Sequence, residues 1–288
     1  MKYLEMGRVG GDRVMDLILA YVSVKLTGKE MRPGQKALIA YFNFLVNNDL
    51  RHVKDMGDHY IVSSRVHGSF ALRKPFSSDL TVYQQVYRDE EYGLLAELAA
   101  KHLPPGEVHM IDGGANIGLA SHFVQEKLKS SHQVSSVLVE PDDGNVEMIE
   151  RNNVLRGAGL FSIDKAGLFN RVCYLDCVRD FRDNLEWSIR VVPTERPTDL
   201  RAVEILSIAG NKGWDVIDIL KLDIEGAESH LFEDASYAEK FLSRVRLLAI
   251  ELHDEFVDRT RVMALLDRAG FRMQASGELQ IGWNSNLV

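Results

Sequence analysis

A glycine-rich segment, DGGANIG from Asp112 to Gly118, contains the first residues whose types and spacing point to chemistry. It follows the short apolar run VHMID and precedes a helical pattern, which is where an open α/β sheet binds its ligand. Gly114 and Gly118 let the backbone turn sharply and approach a ligand closely, and the following helix favours negative charge at its N-terminus. The spacing Gly113-x-Ala115-x-x-Gly118 is also a degenerate dinucleotide fingerprint. The glycines therefore predict a nucleotide site without identifying the nucleotide.

Two carboxylates, Asp112 and Glu140, narrow the choice of nucleotide. Asp112 directly precedes the glycines, where it would repel a pyrophosphate and attract the methionine ammonium of S-adenosylmethionine. Glu140 ends the next predicted strand, SSVLVE, where a carboxylate can accept both hydroxyls of an adenosine ribose. The ribose contact fits either cofactor. Asp112 therefore carries the preference for S-adenosylmethionine over a nicotinamide dinucleotide.

Polar residues also end two predicted strands further along the chain, in the segments LKLDIEGAE and AIELH. Asp223 and Glu225 share one face of the first strand, and Glu251 and His253 share one face of the second, because strand side chains alternate. His253 is the first candidate for a general base, since the unperturbed pKa of histidine lies nearest neutrality. Asp223 is the second candidate, as base, orienting residue or cofactor contact. Glu225 is a third catalytic candidate because Gly226 beside it indicates a close backbone approach.

A divalent metal ion is the competing interpretation of these residues. Asp223, Glu225, Glu251 and His253 could offer carboxylates and an imidazole to an ion such as Mg²⁺, which would acidify and position a hydroxyl. Their spacing matches no diagnostic metal motif, so the prediction without a metal is preferred. Glu228 has a simpler explanation, because an acid in the first turn of a helix complements the helix dipole.

The pattern from residue 105 to 288 predicts the sheet that would position these residues. Short apolar runs alternate with helical patterns, which indicates βαβ units and an α/β domain with a mostly parallel sheet. FRMQAS and LQIGWN predict a hairpin at the C-terminus. The segment 167–198 is predicted to be irregular, with strand-like VCYLD and WSIRVV, and Trp187 within it is assigned to the core. A helix is predicted for about 199–210.

Residues 1–104 are predicted to form a mainly helical flank that covers the sheet domain as a lid. Residues 13–49 follow the spacing of two amphipathic helices, separated by Gly28 and the Arg32-Pro33-Gly34 break. HYIVSSR and SFALRKP predict a short hairpin around His67-Gly68. The stretch from Thr81 to His102 is predicted to be helical.

Four segments, IDGGANIG, VEPDDGNVEMIERNN, LKLDIEGAE and AIELH, in this order resemble the FkbM family of S-adenosylmethionine-dependent methyltransferases. The stretch DLTVYQQVYRDEEY resembles the lead-in segment of that family, so the match covers about residues 79–255. The resemblance implies a Rossmann-like class I methyltransferase sheet, mostly parallel with an antiparallel C-terminal strand. It also implies O-methylation of natural products or glycans.

The resemblance further implies a set of cofactor contacts. They are Gly114, Asn116 and Gly118 beneath the cofactor, Glu140 at its ribose, Asp164, Lys165 and Ala166 beside its adenine, and Tyr92 as a lid. For Tyr92, a core aromatic at helical spacing is an equally good interpretation. His122 and His230 fall on predicted helices and are assigned to packing or to the surface.

The composition excludes several classes of protein. Of the 288 residues, 45% are hydrophobic and 26% are charged, which excludes wholesale disorder and fibrous repeats. The net charge of −8 argues against a general nucleic-acid binder. Cys173 and Cys177 lack the partners that a disulfide framework or a zinc finger needs. No targeting segment or membrane span is predicted, so we expect a cytoplasmic protein, with a homodimer left open.

Three functions follow from these observations. The leading hypothesis is an S-adenosylmethionine-dependent O-methyltransferase that acts on a hydroxyl, or a carboxylate, of a small molecule, natural product or sugar. The second is an NAD(P)-dependent Rossmann oxidoreductase that uses the same glycine-rich segment. The third is a non-catalytic binding module in which the sheet supports a partner surface.

Overall fold

The helices and strands lie close to the positions that the hydrophobic patterns predict. A computed structural model describes residues 3–27, 30–74, 77–157, 161–178 and 190–288. The α-helices in these ranges are α1 (Gly11–Thr27), α2 (Pro33–Asn47), α3 (Asp79–Tyr83), α4 (Gly93–His102), α5 (Leu119–Leu128), α6 (Asp143–Arg156), α7 (Ile205–Lys212), α8 (Glu228–Phe232), α9 (Ala235–Leu242) and α10 (Arg259–Arg268). The strands are β1 (Leu50–Asp55), β2 (His59–Ser64), β3 (Gly68–Arg73), β4 (Gly106–Gly113), β5 (His132–Val139), β6 (Phe161–Asp164), β7 (Ala166–Leu168), β8 (Tyr174–Val178), β9 (Arg190–Thr194), β10 (Arg201–Val203), β11 (Ile217–Leu222), β12 (Val245–Glu251), β13 (Phe271–Ser276) and β14 (Leu279–Asn284).

The central sheet has seven strands in the order β13-β14-β12-β11-β4-β5-β6. Strands β12, β11, β4, β5 and β6 run parallel, and the C-terminal hairpin adds β14 antiparallel to β12. The prediction of a mostly parallel Rossmann-like sheet with an antiparallel C-terminal strand is confirmed. All six residues of β11 are buried, as expected of a strand with neighbours on both sides and helices on both faces. The carboxyl ends of β4, β5, β11 and β12 consequently meet at one edge.

Two segments differ from the sequence predictions. The predicted hairpin around His67-Gly68 is part of a three-stranded antiparallel sheet, β1-β2-β3, because LRHVKD also forms a strand despite its charged residues. The predicted helix at 199–210 begins only at Ile205, since Arg201–Val203 pairs with β7 and β8 in a small four-stranded sheet. Strands β8 and β9 of that sheet lie in the segment 167–198, which was predicted to be irregular. Trp187 lies outside the described residues.

The helix predicted from Thr81 to His102 is interrupted. α3 continues into a π-helical turn (Gln84–Arg88), the backbone then takes a positive φ of 49° at Glu90, and α4 begins at Gly93. Glu91 and Tyr92 lie in this break and line a cavity at the carboxyl edge of the sheet.

Asn152, on α6, joins the N-terminal sheet to the glycine-rich loop. β3 is an edge strand, and the fully buried Asn152 side chain pairs with its open edge: Oδ1 accepts from Ala71 N at 2.8 Å, and Nδ2 donates to Ala71 O at 3.2 Å. Nδ2 also donates to Ile117 O at 3.1 Å. Apolar residues on both sides of residue 104, among them Phe70 and Phe123, belong to one core cluster. The division into 1–104 and 105–288 stays a prediction, but the two parts share this core.

Asn152→Ala is expected to lower the free energy of unfolding by about 2–4 kcal/mol, because each buried group that loses its partner costs roughly 1–3 kcal/mol. Urea unfolding measures the change. Val154→Ala is the matched control on the same helix, since Val154 is 82% exposed and should change stability by less than about 0.5 kcal/mol. Equal effects of the two substitutions would contradict the bridging role of Asn152.

Candidate functional site

The glycine-rich loop between β4 and α5 has a backbone that other residues would disrupt. Gly114 and Gly118 have φ values of 69° and 82°, in the left-handed region that favours glycine. A Cβ atom at Gly114 would lie 1.7 Å from the carbonyl oxygen of Asp223. Asn116 also has a positive φ, 51°, which asparagine tolerates better than most residues. The loop therefore passes directly against the end of β11.

A cavity of about 360 Å³ opens beside this loop, at the carboxyl edge of the sheet. Its walls contain most of the residues predicted as site residues: Tyr92, Gly114, Asn116, Glu140, Ala166, Asp223, Glu225 and Glu251. The loops after β4, β5, β11 and β12 supply most of this wall, and Tyr92 comes from the break before α4. Gly118 is not part of the wall; it is the N-cap of α5, and a Cβ atom added there would lie 3.3 Å from Leu138.

Glu140 is a buried carboxylate, 4% exposed, in the cavity wall. Its Oε2 accepts a hydrogen bond from Asn116 N at 2.8 Å, and its Oε1 accepts from Asp142 N and Asn145 Nδ2, both at 3.1 Å. Burial raises the pKa of Glu140 to about 7, although these three donors favour the charged form. The group is thus held firmly beside the loop, and it has lone pairs left to accept hydrogen bonds from a ligand.

Asp112 is fully buried behind the loop and does not line the cavity. Its Oδ2 accepts from Ser121 Oγ at 2.7 Å, and its Oδ1 lies 3.3 Å from Lys221 Nζ. The same Lys221 Nζ donates to the carbonyls of Gly113 and Gly114, at 3.2 and 2.6 Å. The direct contact predicted between Asp112 and a cofactor ammonium stays a prediction. In this structure the carboxylate is the counter-charge of Lys221.

A second polar group lies at the ends of β11 and β12. Asp223 and Glu251, in the cavity wall, and His253 offer ligand atoms that all lie within 4.8 Å of one another. His253 is buried, and its Nε2 lies 3.4 Å from Glu225 Oε2 and 3.4 Å from Glu251 Oε1. Its Nδ1 lies 3.2 Å from Oε1 of the fully buried Glu228. The sequence predicted Asp223, Glu225, Glu251 and His253 as neighbours, and the structure brings these four together and adds Glu228.

The role of general base that the sequence predicted for His253 stays a prediction. Burial alone would lower its pKa, but Glu225 and Glu228 raise it to about 11, so without a further ligand the imidazole is protonated at neutral pH. Its ring also points at carboxylates and does not line the cavity. The sequence explained Glu228 by the helix dipole alone. In the structure, Glu228 Oε1 accepts a hydrogen bond from His253 Nδ1 and holds the ring. The same oxygen accepts from Ile224 N at 3.0 Å.

Only one of the three residues predicted to contact adenine lies in the cavity wall. Ala166 lies in the cavity wall, whereas Asp164 and Lys165 do not. Asp164 contributes its carbonyl oxygen, which accepts from Glu140 N at 3.1 Å, and the exposed Lys165 pairs with Asp143 at 2.5 Å. Their contacts with adenine stay predictions.

Sequence reasoning missed three charged residues of the wall: Glu91, Lys221 and Glu278. Glu91 depends on the break before α4, and Glu278 depends on how β14 pairs with β12, where Leu279 lies opposite Glu251. Neither feature has a clear local signal. The alternation along β11 did place Lys221 on the face of Asp223, but its buried pairing with Asp112 follows from the register of β11 against β4. Burial is the main cause that raises the pKa of Glu91 to about 7 and the pKa of Glu251 to about 8. The charge of Asp223 is the second cause for both groups.

The histidines on helices have the packing roles expected of them. His122 is 1% exposed, and burial lowers its pKa to about 3, so it is neutral beside Phe161. His230 stacks on Phe169 at a ring distance of 4.6 Å. Among the described residues, no helix is both long enough and apolar enough to cross a membrane.

Comparison with solved structures finds several methyltransferases with low sequence identity. Methyltransferase FkbM from Methylobacillus flagellatus KT is 16% identical, with a TM-score of 0.45 over 95% of this chain and 60% of that one. Precorrin-6y C5,15-methyltransferase from Geobacter metallireducens GS-15 is 12% identical, with a TM-score of 0.40 over 75% and 94%. An S-adenosylmethionine-dependent methyltransferase from Aquifex aeolicus is 14% identical, with a TM-score of 0.35 over 65% and 87%. The chain thus spans 60% of the length of the first of these structures.

No curated protein sequence matches the chain. The family assignment rests instead on a comparison with models of protein families. The family model described as the methyltransferase FkbM domain matches residues 112–273, which is more than half of the chain. The match begins at Asp112, includes the glycine-rich loop, and runs through β12 and α10 into β13. The chain therefore belongs to the FkbM methyltransferase domain family.

Proposed function

We propose that this chain is an S-adenosylmethionine-dependent O-methyltransferase that acts on a hydroxyl of a small polar acceptor, such as a natural product or a sugar. One observation carries the proposal. A single cavity contains both the glycine-rich loop with Glu140, which suits an adenosine, and the carboxylates at the ends of β11 and β12, which suit a hydroxyl. Family membership supports methyl transfer over the oxidoreductase and the non-catalytic module.

The residues beside the loop fit S-adenosylmethionine. Close packing at Gly114 leaves no room for a side chain between the loop and β11, so the backbone itself faces the cavity. Glu140 is positioned to accept hydrogen bonds from the two ribose hydroxyls. The Oδ1 atom of Asn116 is buried without a hydrogen-bond partner among the described residues, and a bound cofactor would offer it a donor. Tyr92 and Ala166 supply apolar surface in the same wall.

Most of the protein's task in methyl transfer is to bind and align the reactants. The cofactor, when bound, supplies an electrophilic methyl group on a sulfonium and leaves as S-adenosylhomocysteine. The acceptor hydroxyl must lose its proton as its oxygen gains the methyl group. Asp223 is 28% exposed in the cavity wall and is the carboxylate that we assign to receive this proton. Tyr92 and Glu91 would exclude water from the same side of the cavity.

The cofactor assignment is tested by isothermal titration with S-adenosylhomocysteine and with NADH on the same protein. Glu140→Gln is expected to weaken S-adenosylhomocysteine roughly tenfold or more, because two ribose donors lose a charged acceptor. Glu147→Gln, an exposed carboxylate on α6, is the matched control and should leave the affinity unchanged. Binding of NADH without S-adenosylhomocysteine would refute the proposed cofactor.

The pH dependence of S-adenosylhomocysteine affinity is a second test of the proposed ribose contact of Glu140. With a pKa of about 7, Glu140 must lose a proton before it accepts both hydroxyls, so affinity should rise as pH increases from 6 to 8. Glu140→Gln should lack this part of the rise. An identical pH profile in both proteins would remove Glu140 from the ribose site.

Gly114→Ala is expected to abolish S-adenosylhomocysteine binding, because the new Cβ atom would lie 1.7 Å from a backbone oxygen and force the loop to move. Gly210→Ala is the control: Gly210 lies in α7 with no atom within 4 Å of an added Cβ, so binding should persist and Tm should stay equal or rise. Calorimetry and thermal unfolding measure both variants. Wild-type binding by Gly114→Ala would show that the loop does not contact the cofactor.

Asp223→Asn is expected to slow methyl transfer by about 10²–10⁴-fold, as is typical when a general base is lost. The measurement uses methyl-labelled S-adenosylmethionine with a panel of glycosides, phenols, amines and carboxylic acids, and mass spectrometry locates the added methyl group. Glu97→Gln, on the exposed side of α4, is the control. Methylation of amines alone would contradict the proposed acceptor class, and unchanged turnover in Asp223→Asn would contradict the role of Asp223.

A further inference from the structure

We propose that Asp223, Glu251 and His253 bind a divalent metal ion, and that Glu228 is the positioning residue for the histidine ligand. The ion's role in catalysis rests on the proposed function, whereas the site itself rests on the arrangement of side chains. Two adjacent parallel strands, β11 and β12, end beside one another and bring these ligands together, with Asp223 and Glu251 in the cavity wall and His253 buried beside them.

The distances between the candidate ligand atoms fit one ion. One oxygen of Asp223, one oxygen of Glu251 and a ring nitrogen of His253 lie within 4.8 Å of one another. Metal–ligand bonds of about 2.0–2.5 Å place ligand atoms up to roughly twice that distance apart. Only small side-chain movements are therefore needed to close the site around an ion.

The environment of His253 is the second, independent observation. Its Nε2 is buried and has no hydrogen-bond partner among the described residues, although it points at carboxylate oxygens of Glu225 and Glu251 3.4 Å away. Its Nδ1 contacts Glu228 Oε1 at 3.2 Å, and the same oxygen accepts from Ile224 N. A histidine that ligates a metal commonly donates its other ring nitrogen to a carboxylate in this way. Glu228 is fully buried and thus holds the ring with Nε2 directed at the site.

The local charge also favours a cation. Asp223, Glu225 and Glu251 lie in the same cavity wall, with Glu91 and Glu278 nearby. Lys221 is 3.7 Å from Asp223, but it is already engaged by Asp112 and by the loop carbonyls. A divalent ion would offset the repulsion between the neighbouring carboxylates of Asp223 and Glu251.

The donor set indicates the class of ion. Two carboxylates suit Mg²⁺ or Mn²⁺, and an imidazole shifts the preference towards Mn²⁺ and other transition metals over Mg²⁺ and Ca²⁺. Three protein ligands leave positions open for water or for an acceptor oxygen. An ion here would hold the acceptor hydroxyl and lower its pKa, and the oxygen of Asp223 that does not bind the ion would receive the proton.

The alternative is a protonated His253 held among carboxylates without any metal. The experiment titrates Mn²⁺ into the full chain after treatment with EDTA and measures free Mn²⁺ by electron paramagnetic resonance. We expect one bound ion per chain, weakened 10–100-fold or more by His253→Gln and about 10–100-fold by Glu228→Gln. Thermal unfolding of each metal-free variant shows whether the chain remains folded, and the metal should raise Tm in the wild type more than in either variant.

Glu278→Gln is the matched control, because it removes a carboxylate from the same cavity without removing a ligand. Its Mn²⁺ affinity should stay within about threefold of the wild type, as expected of an exposed charge acting only at a distance. The proposal is overturned if the wild type fails to bind Mn²⁺ at millimolar concentration, or if Glu278→Gln weakens binding as much as His253→Gln. Titration with S-adenosylhomocysteine on the same samples separates the two proposals, since cofactor binding without Mn²⁺ binding refutes only the metal.

Discussion

The buried ion pair between Lys221 and Asp112 is the interaction on which the site depends. The two residues are opposite one another in the register of β11 against β4, and both are almost completely buried. Burial alone would lower the pKa of Lys221, but Tyr92, Asp112 and Asp223 raise it above its usual value, so the ammonium is retained. Lys221 also donates to the carbonyls of Gly113 and Gly114. One cation therefore fixes the start of the glycine-rich loop and limits how far Asp223 can move.

This pairing also explains how an acidic cavity can coexist with a stable fold. A buried charge pair is costly to desolvate, and removal of one partner typically costs about 3–5 kcal/mol because the other is left uncompensated. Asp112 is therefore committed to Lys221, whereas Asp223, 3.7 Å from the same ammonium, lies in the cavity wall with the other carboxylates. Their mutual repulsion is sustained because the sheet fixes the strand ends that carry them. The net charge of −8 thus includes a local excess at the site and is not only a property of the solvated surface.

Local patterns in the sequence were sufficient to predict the central sheet and the loop. Buried parallel strands such as β11 are continuous apolar runs, and the glycines at positions of positive φ mark the loop directly. Most of the predicted residues line one cavity because the strand ends that carry them meet at one edge. The surroundings of His253 could not be predicted in this way, since the positions of Glu225 and Glu228 relative to its ring depend on the turn after β11. β1 and the break before α4 also escaped prediction, because charged strands and positive-φ residues other than glycine have weak local signals.

The N-terminal residues are connected to the cavity wall by contacts that the sequence did not predict. Arg73 on β3 is paired with the fully buried Asp79, at 2.7 Å, and its Nη2 also donates to Asn145 Oδ1 at 2.7 Å. Because an arginine can only donate, the amide oxygen of Asn145 must face Arg73, and the amide nitrogen must then face Glu140.

The orientation of the amide has a direct consequence for Glu140. With the nitrogen towards it, Asn145 donates to Oε1 and stabilises the carboxylate in its charged form, against the effect of burial. With the amide reversed, an oxygen would face the carboxylate and repel it. The contacts from Asp79 through Arg73 to Asn145 therefore connect the N-terminal residues to Glu140 and fix the orientation of the amide that donates to it.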